Sequence, residues 1–176
     1  MKQCFAILFC SALLLAGLSS GAQKLSKKWS IGFGLEGGAP LGDAKTSYNF
    51  TGGLTLRFSY KAGPGFATFT TGGVVFAPKD IKGTDVKAGL QIPFKAGYKY
   101  IIGDHFFVMG ELGYSAFRYY YKDGNGNLVS ASTGGFTYAP TVGAQFGVFE
   151  VGIRYEGIAI SGGTLSDVGL RLGFNF

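Results

Sequence analysis

The chain is poor in the residues from which most protein sites are built. It holds two cysteines, one histidine, one tryptophan, two methionines and five prolines in 176 residues, and only 15% of it is charged. Both cysteines, Cys4 and Cys10, fall at the very start of the chain. Beyond them there is no thiol for a disulfide framework or a thiolate metal site. A single histidine, His105, removes histidine-rich metal sites and makes most nucleophile–base pairs hard to build. Low charge combined with 47% hydrophobic residues excludes a disordered chain. The formal charge of +6 is small and no block of like charges occurs, so nucleic acid is not an expected partner.

Glycine, phenylalanine and tyrosine are abundant, with 31, 17 and 10 copies. Glycine at this level opposes helix, and aromatic side chains favour strands. The glycines keep no third-residue period, which excludes collagen. The length fits one domain, or at most two very small ones. An all-β chain with an oily face is what remains.

The first residues read as a targeting segment. Met1-Lys2-Gln3 is a short basic head, Cys4 to Leu18 is an apolar run of signal-peptide length, and Ser20-Gly21-Ala22 supplies small residues before a cut at Gln23. The run is short for a membrane anchor and lacks stop-transfer charges. Leu8-Phe9 before Cys10 is unlike a lipidation site. Residues 1–22 are therefore expected to be a cleaved signal peptide, 23–28 a short N-terminal segment and 29–176 one domain. Loss of Lys2 lowers the formal charge from +6 to +5.

From Trp29 onward the apolar pattern has period two. Trp29, Ile31, Phe33 and Leu35 alternate with Ser30, Gly32, Gly34 and Glu36. The second segment sets Tyr48, Phe50, Leu54, Leu56 and Phe58 against Thr51, Gly53, Thr55 and Arg57. Leu90 to Tyr98 alternates with Gln91, Lys95 and Lys99; Phe136 to Phe146 with Thr137, Thr141 and Gln145. Phe149 to Tyr155 alternates with Glu150, Arg154 and Glu156, and Val168 to Phe176 with Asp167, Arg171 and Asn175. The segment from Phe106 to Tyr114 has apolar residues on both faces, and that from Gly65 to Ala77 has ambiguous faces. Eight strands are expected in all.

The connections alternate in length. Lys61 to Gly65, Gly103 to His105 and Gly147-Val148 are tight hairpins with glycine where positive φ is needed. Longer, more polar connections are expected over 37–47, 78–87, 122–133 and 161–166. One end of the molecule then carries turns and the other carries loops.

Alternation alone leaves the oily face either lining a cavity, as in a soluble ligand-binding barrel, or facing lipid. The polar face is mostly Gly, Ser, Thr and Asn, which suits the crowded interior of eight strands better than a wet exterior. Its charges are isolated and near balance: Arg57, Lys95, Lys99, Arg154 and Arg171 against Glu36, Glu111, Glu150 and Glu156. Such balance fits a poorly hydrated interior, where an unpaired ion is costly. Aromatics gather near strand ends, as girdles at a membrane surface do. A sheet in hydrocarbon must also close on itself. The expected fold is a closed eight-stranded antiparallel transmembrane β-barrel.

This pattern resembles the small eight-stranded outer-membrane β-barrel family of the OmpA-transmembrane-domain and OmpX type over residues 29–176. Its most specific element is Val168-x-Leu170-x-Leu172-x-Phe174-x-Phe176. The resemblance implies that Leu172, Phe174 and Phe176 address the outer-membrane assembly machinery. It implies turns facing the periplasm, loops facing the exterior of a bacterial cell, and outer-membrane lipids and lipopolysaccharide as surroundings. No counterpart of OmpA's periplasmic peptidoglycan-binding domain is expected, so the resemblance implies no cell-wall tether.

Other motifs fall away. Gly32-Phe-Gly34-Leu-Glu-Gly37 matches a dinucleotide fingerprint but has no helical period after it. Gly37 to Gly42 has P-loop spacing, yet Asp43 stands where lysine is required. Asp123 to Asn127 opens like a calcium loop, but Leu128 and Gly134 replace its glycine and glutamate. His105 sits in a short turn, opposite the end where lipid-modifying barrels keep their catalytic pair. No catalytic residue, cofactor or metal is therefore expected. The nine lumen charges are read as paired ions that fill the barrel, with Glu36, Lys95, Glu111, Arg154, Glu156 and Arg171 at similar depth. Arg118 and Lys122 lie beyond the oily part of their strand, near lipopolysaccharide phosphates or water. The expected role is non-enzymatic, in envelope integrity or surface interaction. A narrow porin-like or hydrophobic small-molecule conduit is the alternative, and a lipid-modifying enzyme the third. No recognition motif marks a partner for the exterior loops.

Overall fold

The structure, a computed structural model, describes residues 28–79, 86–122, 128–160 and 162–176. The expected signal peptide, nearly all of the 23–28 segment and the calcium-loop-like stretch at 123–127 lie outside the described residues.

Eight strands account for nearly all of the described chain: β1 (Trp29–Leu41), β2 (Tyr48–Ala62), β3 (Gly65–Pro78), β4 (Val86–Ile102), β5 (Phe106–Lys122), β6 (Leu128–Phe146), β7 (Phe149–Ile160) and β8 (Gly163–Asn175). Each pairs antiparallel with the next, and β8 returns to β1, so the sheet is a closed barrel. At the seam Ile31 N–H donates to Phe176 O at 3.1 Å and Phe176 N–H donates to Ile31 O at 2.9 Å. The tight turns follow β2, β4 and β6, where Ala62 meets Gly65, Ile102 meets Phe106 and Phe146 meets Phe149. Gly103 and Gly147 take φ of 63° and 60° there, the left-handed conformation that glycine adopts without steric cost. Among the described residues, only a four-residue helical turn, Ala44–Ser47, interrupts the strands.

The oily faces point outward. Trp29, Phe33, Leu35 and Leu54 are exposed, whereas Arg57, Lys95 and Arg171 are at most 1% exposed. This arrangement is the inverse of a soluble barrel and is the facing that lipid as the solvent for the outer wall requires. An aromatic girdle marks the turn end, where Trp29 and Tyr60 stack with ring centroids 4.4 Å apart and Phe149 and Phe174 meet at 5.6 Å.

Three details differ from the sequence pattern. The ladders run past the oily band: β5 and β6 stay in register to Lys122 opposite Leu128, so Leu128 to Thr133 is strand, not loop. The Ser, Thr and Val of this stretch keep pairing in water because their β-propensity does not depend on lipid. Tyr48 points inward and is buried, although strict alternation groups it with Phe50. A register shift between Tyr48 and Phe50 reverses the facing of the residues before it. In β3 the mixed pattern resolves with Phe66, Thr68, Thr70, Val74 and Phe76 buried and Phe69 and Val75 exposed.

Because lipid bathes the outer wall, Leu54→Arg on β2 should destabilise the barrel by about 2–4 kcal/mol, the cost of a cation on a lipid face. Urea titration in lipid vesicles measures this, and an unchanged midpoint would mean that water covers that face.

Candidate functional site

The interior is built by parity. In an antiparallel barrel alternate residues of every strand enter the lumen, so one charge per few residues on each polar face suffices to fill it. All nine charges expected there are buried: Glu36 of β1, Arg57 of β2, Lys95 and Lys99 of β4, Glu111 of β5, Glu150, Arg154 and Glu156 of β7, and Arg171 of β8. They form one connected network. Glu150 is its turn-side hub: Arg57 and Arg171 both reach its Oε1, at 2.7 and 2.8 Å, and Lys99 pairs with its Oε2. Arg57 also faces Glu111 at 3.7 Å. Arg171 continues to Glu36 at 3.5 Å, Glu36 to Arg154 at 2.5 Å, Arg154 to Glu156 at 3.1 Å and Glu156 to Lys95 at 2.5 Å. Glu36, Lys95, Arg154, Glu156 and Arg171 thus meet directly, while Glu111 joins through Arg57.

Neutral side chains add hydrogen bonds to the network. Thr70 accepts from Arg57 at 3.1 Å and donates to Glu111 at 2.5 Å. Thr55 donates to Glu36 at 2.8 Å, Gln91 donates to Glu156, and Gln145 accepts from Lys99 at 2.5 Å. Every strand contributes. A tenth charge, Asp167, is 4% exposed and accepts from Thr51 at 3.4 Å. It lies on the polar face of β8, four residues before Arg171, and parity alone would have found it. With it, the described interior holds five cations and five carboxylates. Room for the largest of these comes from glycine: a Cβ on Gly34 would lie 2.5 Å from Arg171 Nε.

The loop end of the lumen is apolar, and the turn end mixes apolar with polar side chains. Toward the loops, Tyr48, Phe76 and Phe117 pack edge to face with centroids 5.2–6.2 Å apart, against Val74. Toward the turns, Phe107 and Met109 are buried, and Lys99 Nζ lies 4.2 Å from the Phe107 ring centre. Phe76, Phe107 and Phe117 carry no distinguishing signal in sequence, because their strands are apolar on both faces.

The remaining candidates are scattered. His105 is exposed in the β4–β5 turn beside Phe146, at 5.0 Å. Gly32, Gly34 and Gly37 lie within β1 and precede no helix longer than one turn. Arg118 is exposed beyond Tyr114 and reaches Ser132 at 3.4 Å; of the Lys122 side chain nothing is described. Leu172, Phe174 and Phe176 face outward on the closing strand. Among the described residues no group of three His, Cys, Asp or Glu side chains is placed to hold a metal.

Comparison with known proteins agrees with this architecture. The family model described as outer membrane protein beta-barrel domain matches residues 9–176. The N-terminal β-barrel domain of Pseudomonas aeruginosa OprF is similar, with a TM-score of 0.64 and 13% identity over 84% of this chain and 97% of that one. Ail, the attachment invasion locus protein of Yersinia pestis, has a TM-score of 0.59 and 16% identity over 84% and 96%. It has also been solved in complex with the heparin analogue sucrose octasulfate. Neisserial surface protein A has a TM-score of 0.56 and 11% identity over 85% and 96%. No curated protein sequence matches the chain.

Removing the hub should unbalance the interior. Glu150→Gln leaves Arg57, Arg171 and Lys99 without their shared carboxylate, a loss expected to cost about 3–5 kcal/mol because the cations stay buried. Equilibrium unfolding of the variant in vesicles reads this directly; a cost under about 1 kcal/mol would mean that water already solvates these groups.

Proposed function

The chain belongs to the outer membrane protein β-barrel domain family, and from that premise we propose that it is a non-enzymatic surface protein of the bacterial outer membrane. Export by a cleaved leader over residues 1–22 is part of this reading. The observation that carries it is the continuous ion network across the lumen, stoppered by aromatics toward the loops. A filled interior leaves the loop rim as the surface on which contacts are made. Binding and specificity commonly reside in loops held by a rigid scaffold.

The rim suggests a ligand class. Lys79 leaves the end of β3 beside the helical turn after β1, where its amide donates to Ser47 O at 2.9 Å and its Nζ to Lys45 O at 2.6 Å. Two lysines are thereby held together at the loop end, a surface suited to polyanionic glycans. Ail, with the same fold, has been solved with such a molecule.

In planar bilayers the purified protein should be electrically silent. It should bind sucrose octasulfate in a salt-dependent way, and Lys45→Ala with Lys79→Ala should weaken that binding several-fold. Regular conductance steps would overturn this reading in favour of a conduit. A change in envelope lipid structure on overexpression would overturn it in favour of an enzyme.

The outward Leu172, Phe174 and Phe176 support a second proposal, that the last strand addresses the outer-membrane assembly machinery. Phe176→Ala should lower the amount of barrel assembled in cells while leaving refolding into detergent intact. Equal loss in both settings would make the residue a packing element instead.

A further inference from the structure

The barrel wall contains a break in its hydrogen bonding. The β6–β7 ladder passes from Tyr138 opposite Gly157 directly to Thr141 opposite Arg154, skipping two pairs. Pro140 lies in the gap. Gln145 N–H donates to His105 O, on the β5 side. Because amide direction alternates along a strand, odd-numbered amides of β6 point to β5 and even-numbered ones to β7. Position 140 is therefore where β6 should donate to the Tyr155 carbonyl, and proline has no N–H. The Tyr155 hydroxyl is already engaged with Ser166 at 3.1 Å. A carbonyl without its ladder donor is expensive beside hydrocarbon. A similar skip occurs between β3 and β4 at Pro93, but that proline is buried on the inner side.

Outside the Pro140 break the wall is hollowed. Gly110 and Pro140 floor a recess of about 590 Å³ between Tyr98 and Tyr155. A second recess, of about 500 Å³, continues from it toward Phe106 and Ala144 at the turn end. Val108, Val142 and Ile153 line both, so the two form one trough. Elsewhere the wall carries large side chains such as Phe33, Leu35, Leu54 and Phe94. The trough is thus apolar along its length, opens to the membrane interior, and has one orphan acceptor at its loop-side end.

We propose that this trough binds an acyl chain of an outer-membrane lipid that carries a hydroxyl near its head. The hydroxyl donates to the Tyr155 carbonyl, supplying the hydrogen bond that Pro140 cannot. The tail lies over Val142 and Val108 toward Phe106. Lipid is the occupant because the trough faces the medium that covers the outer wall, and the hydroxyl is required by the acceptor within it.

The test titrates the full-length barrel in detergent micelles with β-hydroxymyristate and with myristate, read from the methyl signals of Val142 and Ile153. The native protein should bind the hydroxylated probe about tenfold more tightly, the worth of one hydrogen bond. Pro140→Val restores the amide and should bind the two probes alike. Gly110→Phe fills the trough and should bind neither while keeping heat-modifiable gel migration. Equal affinities in the native protein, no saturation by either probe, or a preference that survives Pro140→Val would each overturn the proposal. Protein-concentration-dependent shifts of the same methyls without probe would assign the trough to a second copy and also overturn it.

Discussion

Within hydrocarbon a backbone N–H or C=O has no water to fall back on, and each unpaired group costs several kcal/mol. That constraint governs the rest of this molecule. It forces β8 back onto β1, because an open edge would expose a row of such groups. Closure then fixes an inside and an outside, and with lipid as the outer solvent the apolar set must face out. The polar set is left to share a narrow lumen, and everything distinctive about the site follows from that confinement.

A lumen of eight strands has little space for water, so the ions in it must be neutralised by one another. Ten buried charges balance at five of each sign, with threonine, glutamine and asparagine side chains hydrogen-bonded among them. The balance is global and not local. Arg57, Lys99 and Arg171 crowd around Glu150 at the turn side, while Glu36, Glu156 and Asp167 lie nearer Lys95 and Arg154. The interior is therefore neutral but polarised along its axis. The aromatic cluster of Tyr48, Phe76 and Phe117 closes the loop end of this interior, and the low dielectric of a crowded lumen strengthens each pair within it.

Period-two parity made the fold and all nine expected lumen charges legible, since it sorts residues to two faces without knowledge of partners. It failed where the ladder is irregular. Tyr48 reads as lipid-facing until the register shift before Phe50 is known, and a bulge has no reliable mark in a glycine-rich strand. Phe76, Phe107 and Phe117 were hidden for another reason: apolar residues on both faces give no contrast, so sequence cannot say which aromatic turns inward. Strand ends were under-read because polar residues beyond the membrane keep pairing. Pro140 was visible in the sequence, but its meaning depends on which neighbour its nitrogen faces, and only the ladder tells that.

Ile31 and Phe176 are hydrogen-bonded neighbours although almost the whole chain separates them. The cylinder therefore cannot close until residue 176 has been made, since its last rung joins that residue to the first strand. The same adjacency makes the ends interchangeable in principle: a short linker joining them, with new ends opened at the Gly103 turn, preserves every rung of the wall.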